Sequence, residues 1–80
     1  MTAEERAAVA SDVIWYWLPA RWTNGVSWFE IRGYTVTEIG VDVQVSKDDG
    51  DIVLVSFADS EIDGVDRLDP TVAKARIEAV

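Results

Sequence analysis

From Thr35 to Ala58 the chain reads TVTEIGVDVQVSKDDGDIVLVSFA, two β-prone runs joined by KDDG. Asp and Gly tolerate the positive φ of a tight hairpin, so the runs predict neighbouring antiparallel strands. In the first run Ile39, Val41, Val43 and Val45 share one side, and Glu38, Asp42 and Gln44 the other. That alternation is the mark of a half-buried strand. Gly40 is the expected place for a bulge. In the second run Val53, Val55 and Phe57 point one way, and Ile52 and Leu54 the other. A strand that is apolar on both faces is expected to be covered on both. The rest of the chain must therefore supply layers for this hairpin.

Upstream, VSWFEIR (residues 26–32) sets Ser27, Phe29 and Ile31 against Val26, Trp28, Glu30 and Arg32, a third alternating strand. Gly33 breaks or bends the chain after it. A connector, ARWTNG, precedes it and carries the Asn24-Gly25 turn signal. Before the connector lies a helix. Thr2 and Glu5 have capping-box spacing, Val9, Val13 and Trp17 recur every four residues with Ala10 and Ile14 beside them, and Pro19 stops the helix near Trp17. Downstream, Asp69-Pro70 reads as N-cap and first residue of a second helix, with Val72, Ala73, Arg76, Ile77 and Val80 near one side. The fold class expected is α+β. A three-stranded antiparallel meander is flanked by an N-terminal helix and a short C-terminal helix (α-β-β-β-α), in a single domain over residues 1–80. The first helix covers one face of the sheet. The C-terminal helix or a second copy of the chain covers the other, so a homodimer is one expectation.

Composition narrows the chemistry. The chain has neither cysteine nor histidine, which excludes disulfides, thiolate zinc sites and Ser-His-Asp or Cys-His nucleophile systems. The opening MTAEER is acidic where an export signal is basic and then apolar, and the longest apolar run, VIWYWL, is short for a membrane span. Both predict a cytoplasmic protein. Fifteen acids against seven bases give a net charge of −8. Such a surface repels phosphate backbones and anionic lipids, and it speeds encounter with basic protein surfaces.

The acids are concentrated. Between Asp48 and Asp69 stand Asp48, Asp49, Asp51, Asp59, Glu61, Asp63, Asp66 and Asp69, and Arg67 is the one base among them. The segment DSEIDGVDRLD partly matches a calcium loop, with acids at Asp59, Glu61 and Asp63 before Gly64. The match then fails: Asp66 stands where an apolar residue belongs, and Pro70 where the bidentate Glu belongs. A turn on Asp63-Gly64 is the better reading, and no metal or other cofactor is expected. No pair of carboxylates is singled out for acid/base catalysis, so the chain is not expected to be an enzyme. The KDDG tip and the later loop can lie at opposite ends of one strand and need not form a single patch. If the loop folds back, their carboxylates form a row that suits an Arg/Lys channel.

Six aromatics crowd residues 15–29. Trp17 and Phe29 belong to the core pattern. Trp15 lies on the helix side of Glu4 and Ser11, and Trp28 on the strand side of Glu30 and Arg32, so both are candidate exposed anchors for a protein interface.

In its small size, acidity, lack of Cys and His, and α/β meander, the chain resembles phage-encoded anti-CRISPR proteins, above all the small acidic inhibitors of type I systems, with type I-C preferred. The acids from Asp48 to Asp69 are the positions that a DNA-mimic role would use. The resemblance implies a non-enzymatic inhibitor that docks a basic surface of a CRISPR–Cas effector subunit in the host cytoplasm and blocks target DNA. Two alternatives are a phage structural or accessory assembly protein using a Trp-rich face, and an antitoxin-like partner of a basic toxin.

Overall fold

The computed structural model describes residues 2–80, with Ala10 as backbone only, so the place given above to the Ala10 side chain lies outside the described residues. The elements run α1 (Ala3–Trp17), β1 (Arg21–Thr23), β2 (Trp28–Val36), β3 (Gly40–Lys47), β4 (Ile52–Ala58), α2 (Asp59–Asp63) and α3 (Pro70–Glu78). The strands form one antiparallel sheet in the order β1-β2-β3-β4. The architecture is α+β, as the alternation and helical spacing predict.

The caps follow the sequence. Glu5 N–H donates to Thr2 Oγ1 at 3.1 Å, and the Thr2 hydroxyl donates to the Glu5 carboxylate at 3.1 Å. At α3, Val72 N–H donates to Asp69 Oδ1 at 3.0 Å, with Pro70 in the first turn. These contacts satisfy amide donors that a helix start cannot pair internally.

The strand count differs from expectation. Four strands stand among the described residues where three were predicted. The added strand, β1, is the RWT read as connector. Its register sets Arg21 opposite Glu30, Trp22 opposite Phe29 and Thr23 opposite Trp28. Trp22 is buried and stacks on Phe29 with ring centroids 5.3 Å apart. Three residues are too few to show an alternation, so the pairing comes from tertiary packing across the Asn24-Gly25 turn. Gly25, at φ 92°, takes the left-handed conformation that this turn needs.

The glycines in the sheet also exchange roles. β2 runs through Gly33 without ending, and the register slips between Ile31 and Gly33, which leaves Arg32 as the extra residue of a bulge. Gly40 sits in regular ladder opposite Ala58. A Cβ there would lie 2.0 Å from the Phe57 carbonyl oxygen, so glycine is required for close approach. Ile39, expected on the core side, is 80% exposed because β3 begins only at Gly40.

The register places Phe29, Ile31, Tyr34 and Val36 of β2, Val41, Val43 and Val45 of β3, and Val53, Val55 and Phe57 of β4 on one face. Val13, Ile14 and Trp17 of α1, Ile62 of α2, and Ala73 and Ile77 of α3 join that face in a single core. Trp17 meets Phe57 with centroids 5.4 Å apart. Each large apolar side chain buried here contributes about 1.5–3 kcal/mol. All of the helices thus lie on the same side. The C-terminal helix does not cover the second face, and Ile52 and Leu54 remain 66% and 61% exposed there. Among the described residues no helix is long and apolar enough to cross a membrane.

Candidate interaction surface

The acid-rich stretch is split by β4. The hairpin tip carrying Asp48, Asp49 and Asp51 lies at one end of this seven-residue strand, and α2 with Asp59, Glu61 and Asp63 begins at the other. At the usual rise per residue the two groups are roughly 20 Å apart along the strand. They form two acidic ends rather than one row.

The α2 end is largely committed to structure. Where a calcium loop or a turn would run, residues 59–63 form a short helix. Arg6 reaches from α1 to Asp59 at 3.2 Å and also donates to the Thr37 carbonyl at 3.0 Å. Glu61 accepts the Ala58 N–H at 3.0 Å and forms an ion pair with Arg76 of α3. The Arg76 guanidinium holds the Glu61 carboxyl below its usual range, and the Ala58 N–H adds to this. A carboxyl held low is the reverse of a general acid poised near neutral pH. Asp69 caps α3. Asp63 and Asp66 are exposed and have no ion-pair partner among the described residues. No group of three or more potential ligands converges on a metal position among the described residues.

The hairpin end differs. Asp48, Asp49 and Asp51 are all exposed, with no ion-pair partner among the described residues. Asp49 Oδ1 accepts the Asp51 N–H at 3.0 Å, and Gly50 at φ 89° completes the turn. Asp48 Oδ2 accepts the Trp28 backbone N–H at 3.3 Å. That contact brings a predicted aromatic anchor beside the predicted acids. Trp28 is 46% exposed, and the Arg21 guanidinium lies 4.6 Å from its ring centroid. A shallow hollow between them is lined by Arg21, Trp28, Glu30, Ser46, Lys47 and Asp48. An exposed indole whose backbone is tied to the hairpin acids can pack against a partner while the acids meet its lysines and arginines.

Trp15 stands on α1, outside the acidic stretch of the sequence. It is 62% exposed on the outer side of α1, next to Tyr16 at 69%. Sequence reasoning singled out Trp15 but gave Tyr16 no role, although its place one residue along the same outer surface could have been found from helical spacing. It also missed Arg6, Arg21 and Arg76. Arg6 and Arg76 act on residues brought near by the tertiary fold, which no local spacing announces, and Arg21 acts on Trp28 across a hairpin whose first strand was read as connector.

Comparison with protein-family models, with curated proteins and with solved structures finds no match for this chain.

Proposed function

We propose that the chain is a non-enzymatic binding protein, an inhibitor that docks a basic surface of a protein partner. The contact of Trp28 with Asp48 carries this reading, because it joins an exposed aromatic to the hairpin carboxylates. The acids steer encounter and imitate part of a phosphate run, and the indole adds apolar contact. Asp63 and Asp66 supply a second, smaller acidic contact at the far end. By the resemblance noted above, the partner is a CRISPR–Cas effector subunit of a type I system in the host cytoplasm, and the outcome is exclusion of target DNA. A homodimer through the open side of the sheet is proposed alongside this reading and does not depend on it.

Capture experiments with an effector complex test this reading. The chain should be retained by the DNA-free complex and poorly by the DNA-bound one. Charge reversal at Asp49, Asp51, Asp63 and Asp66 should abolish retention. Full inhibition by that variant would rule out an acidic docking surface.

One observation favours a second reading. Trp15 and Tyr16 form an exposed aromatic pair on α1, which suits a phage assembly protein that joins its neighbours by apolar packing. A salt series separates the two, because charge-led docking weakens steeply with ionic strength and aromatic packing does not.

A further inference from the structure

The two outer strands of the sheet are unlike. β1 is three residues long, and a strand so short offers little to pair with. β4 is seven residues, IVLVSFA, without charge, proline or bulge. It therefore lacks the features that usually protect an exposed sheet edge. Two backbone contacts fix the direction of its ladder. Asp59 N–H donates to the Ile39 carbonyl at 3.0 Å, and Lys47 N–H donates to the Asp51 carbonyl at 2.8 Å. Odd-numbered residues of β4 therefore bond to β3, since antiparallel pairs alternate. Ile52, Leu54 and Ser56 turn their N–H and C=O groups outward, while the Ala58 N–H is closed off by Glu61. The same three residues put their side chains on the open face of the sheet.

We infer that two copies of this chain pair antiparallel through β4, with Leu54 opposite Leu54 of the second copy and Ile52 opposite its Ser56. This register satisfies every outward group from Ile52 to Ser56 and gathers the exposed Leu54 and Ile52 side chains into one apolar strip. It also closes. The joined sheet ends on a three-residue β1 at each side, so two-fold pairing consumes the exposed edge and growth stops at two copies. Charge favours a second copy at this site. In a chain of net charge −8, β4 is a neutral surface bounded by Asp51 and Asp59. Two copies can meet there with no acid on the pairing strand itself. Asp42 stands one strand in, accepting the Ser56 hydroxyl at 2.6 Å, and the acids at the ends repel.

Self-pairing is independent of the acidic docking surface, and its salt dependence has the opposite sign. Screening the flanking acids strengthens the dimer, whereas screening weakens docking to a basic partner. Sedimentation equilibrium of the full chain should show a mass rising with concentration toward twice 8.9 kDa, more readily at high salt. Leu54→Lys should return it to monomer with an unchanged far-UV circular dichroism spectrum. Amide exchange on the unaltered chain needs no variant. The Leu54 N–H should slow about tenfold or more between dilute and concentrated samples, and Val53 and Val55 should not change with concentration. A concentration-independent monomer at every salt overturns the inference. So does a dimer that survives Leu54→Lys or leaves the Leu54 amide unprotected.

Discussion

The backbone N–H of Trp28 donates to the carboxylate of Asp48 across 3.3 Å and 20 positions of sequence. The start of β2 is thereby tied to the tip of the β3–β4 hairpin. An exposed indole and three exposed carboxylates share one end of the molecule as a result. Trp28→Ala should reduce partner affinity about tenfold or more, the scale of an interface anchor, with little loss of thermal stability. Titration calorimetry against the partner, with a melting curve as control, measures both.

The pair of Glu61 with Arg76 joins α2 to α3 and predicts a pH dependence. Because Arg76 lowers the Glu61 pKa in the folded state, the stabilisation is fully present above the unfolded Glu value, about 4.3. It is lost as pH falls through the lower folded value. Glu61→Gln should cost about 1 kcal/mol at neutral pH, or about 4–8 °C in melting temperature for a domain of this size. The gap between variant and parent should narrow in acid. A gap that widens as pH falls would contradict the ion pair.

Gly40 tests the close approach of β3 to β4. A methyl group at this position meets the Phe57 carbonyl oxygen at 2.0 Å, and backbone cannot yield as a flexible side chain can. Gly40→Ala should destabilise by about 3 kcal/mol, the upper part of the range for overpacking. Gly33→Ala, where a Cβ meets nothing within 4 Å, should be far milder. Urea denaturation of the two variants side by side gives the comparison.

Trp17 is 1% exposed between α1 and the sheet. Trp17→Ala should cost about 3–5 kcal/mol through lost burial and the cavity left behind. In a chain of 80 residues that approaches the whole stability, so the variant should be largely unfolded at room temperature by circular dichroism.

The sequence was most readable where a signal is local. Thr2 and Asp69 sit at the helix starts that their side chains cap, Pro19 lies just beyond the α1 end, and Val41, Val43 and Val45 alternate inward. β1 was hidden because three residues show no alternation and its hold comes from tertiary contacts, the Trp22–Phe29 stack and the Trp22 Nε1–H bond to Glu78. α2 was hidden because Asp63-Gly64 is good turn chemistry, and its five residues are anchored instead by buried Ile62 and by the hold of Arg76 on Glu61. For the candidate surface, spacing put Trp15 and Trp28 on the sides away from the core pattern, and both are exposed. That the acids could fall at opposite ends of one strand was also legible, but which carboxylates are already neutralised was not, since that depends on Arg6 and Arg76 arriving from distant helices.

Competition with target DNA tests the central claim most directly. A labelled target duplex is bound to a type I effector complex, and the chain is titrated in across a salt series. Docking through the hairpin acids predicts displacement of the duplex at low salt, progressive loss of displacement as salt rises, and failure of Asp48→Lys/Asp49→Lys/Asp51→Lys to displace at any salt. A duplex that stays bound under excess chain at every ionic strength, or that the triple variant displaces as well as the parent does, contradicts it.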